Sequence, residues 1–160
     1  MDKDVHDRML SVAEVCSDEL ETLALSVTRF VAAGYMTSDV ACWDAAYDAA
    51  DGVIGPAEGA QLIARLTAVM RAIRAERGGD WRFMPAPCCR VTEDERSLMH
   101  LLRAAREARW SDVEAHAASL AGASAAPRLA GAVRVAAEAL GPCGIPGEGA
   151  APARRGTSLH

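Results

Sequence analysis

Residues 9–34 read MLSVAEVCSDELETLALSVTRFVAAG, and the reading of this run decides the fold class. Met9, Ala13, Cys16, Leu20, Leu23, Val27 and Phe30 recur at alternating steps of four and three, the spacing that lines one side of an α-helix. Extended back through the charged start, the pattern predicts a first helix from about Asp4 to Ala33, with Gly34 as its left-handed stop. A heptad seam of this kind serves a helix inside a bundle or the interface of a homodimer. Val12, Val15, Leu25 and Val31 widen the stripe and favour the bundle, so self-association through the first helix stands as the alternative.

Working outward, Thr37-Ser38-Asp39 supplies side-chain acceptors for the free N–H groups of a second helix. Val40, Trp43, Tyr47 and Ala50 line one face of it, and Gly52 is read as its end. Gly55-Pro56 opens a third helix, since proline at the first helical position forfeits no hydrogen bond. Leu62, Leu66, Val69 and Ile73 form its inner stripe, and Gly78-Gly79 stops it. Thr92-Glu93-Asp94-Glu95 is a capping box that starts a fourth helix at Glu93, running to about Ala108 with Leu98, Leu101, Leu102 and Ala105 inward. Ser111-Asp112-Val113-Glu114 reads as a second capping box, for a short helix to about Ala121. Pro127 opens the last helix, with Leu129, Val133, Ala136 and Leu140 inward.

The chain has 160 residues, of which 34 are alanine, 51% are hydrophobic and only 4% are aromatic. Alanine is the best helix former, whereas strands prefer β-branched and aromatic residues, so the composition also points to helices. The expectation is one all-α domain over 1–140, a compact bundle of five or six helices without a sheet. A flexible tail rich in Gly, Pro and Ala is expected over 141–160.

Charge is segregated: −9 over residues 1–59, +4 over 60–110 and zero over 111–160. The overall −5 disfavours nucleic acid as a partner, although arginine-rich central helices keep a DNA-binding regulator among the alternatives. The charged opening Met1-Asp2-Lys3-Asp4-Val5-His6-Asp7-Arg8 leads into no apolar run of secretory type, and no stretch approaches a membrane span. With five scattered cysteines (Cys16, Cys42, Cys88, Cys89 and Cys143), the expectation is a cytoplasmic chain with reduced thiols and no membrane contact.

One internal segment breaks the helical pattern: residues 78–91, a long loop holding Pro85, Pro87 and the Cys88-Cys89 pair. Helix–helix connections usually take about 2–8 residues, so a loop of this length carrying Trp81, Phe83 and Met84 is the first place to look for function. Its aromatic residues either plug the bundle or form a partner-binding lip. Arg71, Arg74, Arg77, Trp81, Arg82, Phe83 and Arg90 are the candidate interaction surface, because guanidinium groups grip phosphates and acidic protein surfaces. Cys88 and Cys89, just before a helix N-terminus and between Arg82 and Arg90, are the candidate metal or redox thiols, with zinc or iron as the implied cofactor.

Other polar groups read as ordinary surface. His100 falls on the solvent side of the fourth helix and His116 at the border of the core stripe, while Asp44, Asp48 and Asp51 form a solvated acidic face. No GxGxxG, GxxxxGK[ST] or nucleophile–His–Asp ordering occurs, so nucleotide hydrolysis and acyl transfer have no support. The leading expectation is a non-enzymatic interaction or regulatory module acting through protein–protein contacts. A metal- or thiol-redox-responsive protein is the alternative.

Overall fold

A computed structural model describes residues 9–143. Among them the chain is helical and contains no strand. Seven helices follow one another among the described residues: α1 (Val12–Val15), α2 (Glu19–Thr37), α3 (Val40–Ile54), α4 (Pro56–Glu76), α5 (Glu93–Arg106), α6 (Trp110–Ala121) and α7 (Pro127–Leu140). No helix is long and apolar enough to cross a membrane, among the described residues.

The expected first helix is two. Ser11 caps α1 in a reciprocal capping box with Glu14, the chain leaves helical geometry at Cys16, and Asp18 caps α2 by accepting from the Glu21 N–H. The apolar stripe continues through this break, which is why spacing alone reads it as unbroken. Gly34 is not the stop either. It lies buried inside α2, and a side chain there would begin 2.7 Å from Trp43 Nε1. The left-handed residue is Ser38, at φ 56°, followed directly by the Asp39 cap of α3.

Gly52 likewise sits within α3, which runs on until Gly55, and Pro56 starts α4 as expected. Thr92 and Glu95 form the expected box at the start of α5. The Ser111 box does not form: Ala108 turns the chain at φ 55°, α6 begins already at Trp110, and Ser111 falls inside the helix. The start of α7 is satisfied by α4, whose Glu76 carboxylate accepts the Arg128 and Leu129 N–H groups at 2.9 and 2.8 Å.

Helix α4 joins two halves of the bundle, packing on α2 and α3 to one side and on α7 to the other, where α5 and α6 complete the layer. Its stripe of Leu62, Leu66, Val69 and Ile73 is buried, as are Leu25 and Val27 of α2, Leu98, Leu101 and Leu102 of α5, and Leu129 and Val133 of α7. Each such side chain contributes about 1.5–3 kcal/mol of transfer free energy. Leu23 and Val27 of the heptad seam are within this core, and Cys16, Leu20 and Phe30 pack against it, so the seam serves this chain's own interior. The acidic and basic zones meet inside the molecule, through the buried pairs described next. Of residues 141–160, Gly141 and Pro142 are tied to α5 by Arg106; residues 144–160 lie outside the described residues.

Candidate interaction site

The segment 78–91 is folded around one buried ion pair. Arg29, on α2, and Glu95, on α5, are 2% and 1% exposed. Their contact is two-pronged, Nε to Oε1 at 2.7 Å and Nη2 to Oε2 at 3.0 Å. The remaining guanidinium donors turn to the loop: Nη1 donates to the Cys88 carbonyl at 2.7 Å and Nη2 to the Arg90 carbonyl. Glu95 accepts the Met84 N–H at 3.1 Å while closing its own capping box on the Thr92 N–H at 2.9 Å. A buried guanidinium needs about five acceptors' worth of compensation, and here the loop backbone supplies what the carboxylate does not. Further ties hold both ends. Asp94 accepts the Arg82 N–H at 2.8 Å, the Thr92 hydroxyl donates to the Arg82 carbonyl at 2.8 Å, and Leu10 and Val12 bridge to the backbone of Val91 and Cys89.

So held, the loop turns Trp81 and Phe83 onto the core, half-buried. They pack against it without being fully buried. Together with Ala32, Tyr35 and Met36 of α2, and Met70 and Arg74 of α4, they line an open groove of about 500 Å³ with Asp80 at its edge. The Arg74 guanidinium lies 4.7 Å over the Tyr35 ring, whose edge meets the Trp43 ring at a centroid distance of 5.5 Å. Met36, 74% exposed, extends the apolar surface toward Val40. A larger recess of about 650 Å³ between α6 and α7 is lined mainly by alanine, serine and glycine, with Glu114 and Arg134.

The expected interaction residues are therefore divided. Trp81, Phe83 and Arg74 line the groove. Arg77 is half-buried and engaged instead: it pairs with Asp94 at 2.9 Å, donates to the Leu120 carbonyl at 2.9 Å and stands 5.8 Å over the Trp81 ring, bracing the groove wall. Arg82 is exposed, Arg90 donates to the Met9 carbonyl, and Arg71 faces a separate recess with Arg128. Cys89 is exposed and Cys88 half-buried, its sulfur accepting the Arg90 N–H at 3.4 Å. At the helix start that follows them, the Thr92–Glu95 box takes up the Thr92 and Glu95 N–H groups. Among the described residues, no three His, Cys, Asp or Glu side chains gather as a metal would require.

A second buried cluster was not singled out from sequence. The Glu21 carboxylate, fully buried, is gripped by Arg103 and by Arg106 Nη1 at 3.3 Å, and accepts the Ser17 N–H at 2.7 Å. Burial alone would raise this carboxyl, but Arg103 and Ser17 hold it below the ordinary carboxylate range. Arg106 also pairs with Asp18 at 2.8 Å and donates to the Gly141 and Pro142 carbonyls. Burial, and then the Glu21 charge, push the neighbouring Cys16 thiol up to about 11. His116 is exposed rather than bordering the core, and His100 is exposed as expected. Partial desolvation of its ring against the helix surface, with Arg103, Arg96 and His116 nearby, holds His100 below its ordinary value. Asp44, Asp48 and Asp51 are exposed on α3.

Comparison with protein-family models, with curated proteins and with solved structures finds no match to this chain.

Proposed function

We propose that the protein is a non-enzymatic helical interaction module that seats an amphipathic segment of a partner protein in the Trp81–Phe83 groove. The observation that carries this reading is the groove's lining: Tyr35, Met36, Met70, Trp81 and Phe83, open to solvent, with a wall fixed by the buried Arg29–Glu95 pair. Aromatic residues, methionine and arginine are the side chains that interface cores favour, and a pre-ordered wall spares the entropy of ordering a loop on binding. The occupant's chemistry follows from the rim. The lining carries one arginine and one aspartate, Arg74 and Asp80, so the segment is recognised chiefly by its apolar anchors, with polar residues of either charge at its margins. The five free cysteines support a reducing, cytoplasmic setting for this activity.

The test is selection of a displayed random-peptide library on the full-length protein. The expected winners present apolar anchors at helical spacing, and lose about thirtyfold in affinity on Met36→Glu or Trp81→Ala, the scale of a hot-spot truncation. Val135→Glu, on exposed α7 surface, leaves their binding unchanged. Winners indifferent to Met36→Glu, or no enrichment, would overturn the proposal.

A further inference from the structure

Arginines are numerous in this molecule, and most are already engaged. Arg29 holds Glu95, Arg77 holds Asp94, Arg96 holds Glu93, Arg103 and Arg106 hold Glu21, and Arg109 holds Glu107 and Asp112. Arg65 reaches Glu138 and the Val135 carbonyl, while Arg74 and Arg134 lie over the Tyr35 and Trp110 rings. Arg90 donates to the Met9 carbonyl and Arg82 is exposed on the 78–91 segment, whereas Arg71 of α4 and Arg128 of α7 come together. Neither side chain has an acidic or aromatic partner among the described residues, and both line one recess of about 260 Å³ whose remaining lining is Ala68, Ala72 and Ala132.

We infer that this recess between α4 and α7 is a binding site for a phosphate group. Two like-charged arginines line this one small recess, and an anion seated between them would be attracted by both. A tetrahedral phosphate offers more acceptor oxygens and more charge to two planar forks than a single carboxylate does. The alanine lining leaves no competing side-chain acceptor and room for an anion of this size. Glu76 accepts the Arg128 and Leu129 backbone N–H groups, so it caps α7 rather than pairing with the Arg128 side chain. The site is separate from the groove, whose lining includes neither arginine, and it does not depend on that reading.

The test is titration of the full-length protein, followed by its amide NMR spectrum, with inorganic phosphate and separately with O-phosphoserine, at fixed ionic strength. Both ligands are expected to give saturable shifts centred on Ala68, Arg71, Ala72, Arg128 and Ala132. Binding should weaken about tenfold in Arg71→Gln and in Arg128→Gln, the loss of one charge-assisted fork, and be unchanged in Arg134→Gln. Tighter binding of free phosphate would identify an inorganic or small-molecule ligand, and tighter binding of O-phosphoserine an esterified one. Acetate at the same concentration is expected to leave these amides in place. Shifts that do not saturate, that acetate reproduces, or that persist in the Arg71→Gln/Arg128→Gln double variant would overturn the site. Both substitutions are of exposed residues, so the variants retain the fold.

Discussion

Replacing Arg29 by methionine should both destabilise the protein and release its loop, and the size of the effect can be worked from the contacts. The change leaves the Glu95 carboxylate buried with only the Met84 and Thr92 N–H groups, and removes the donors to the Cys88 and Arg90 carbonyls. Removing one member of a buried ion pair costs about 3–5 kcal/mol, because the other charge stays in a poorly solvating site. Against a total stability of about 5–15 kcal/mol for a domain, Arg29→Met should fold but melt much earlier. Adding Glu95→Leu removes the stranded charge, so the double variant should be about 1–3 kcal/mol more stable than the two single losses predict together. Full recovery is not expected, since the Cys88 and Arg90 carbonyls and the Met84 and Thr92 N–H groups still lack partners. Urea unfolding gives the four free energies, and native-state alkylation of Cys88 reports the loop separately. A cost under about 1 kcal/mol for Arg29→Met, or single losses that simply add, would refute the reasoning.

Three further outcomes follow from other parts of the molecule. Because the Glu21 carboxyl is held below its ordinary value in the folded state, the unfolded chain takes up protons first as pH falls below about 4.3. Stability should therefore be complete above that pH and fall as pH drops through the folded value, with a shallower slope in Glu21→Gln; an unchanged slope would show that other carboxylates set it. Gly34→Ala should destabilise by about 1–3 kcal/mol despite alanine's better helix propensity, since its methyl would displace the Trp43 ring; a stabilised variant in urea would contradict that packing. Iodoacetamide at neutral pH should modify exposed Cys89 well before Cys16, whose thiol is pushed up to about 11; mass mapping of the adducts gives the order, and the reverse order would refute this account of Cys16.

The elements that sequence reading places correctly are those with local chemistry at their ends. Pro56, Pro127 and the Thr92–Glu95 box each start a helix where expected, because the signal and the structure depend on the same few residues. The break before α2 is hidden because Asp18 caps α2 within an apolar stripe that runs on undisturbed, and spacing alone does not register it. Gly34 looked like a stop because glycine permits left-handed geometry, whereas here its value is the absence of a side chain under Trp43, a tertiary fact. The aromatic loop was legible as unusual, and so were Trp81, Phe83 and Arg74. Its organiser was not, although a trace existed: Arg29 stands between apolar Leu25 and Ala32 on one helical face, where a charge requires a buried partner. That the partner is Glu95, already explained as a capping residue, is a pairing across 66 positions that no local rule reaches.

Hydrogen exchange of the native protein, resolved at single amides, tests most directly whether this loop is a fixed wall. The Met84 amide lies in a proline-rich, half-exposed segment outside any helix, and its protection depends on the bond to Glu95. Exchange slower than its intrinsic rate by about a hundredfold or more, with Gly79 close to its intrinsic rate in the same spectrum, is the predicted result. Met84 exchanging as freely as Gly79 would mean that Arg29 and Glu95 do not order the segment, and the pre-formed groove would fall with them.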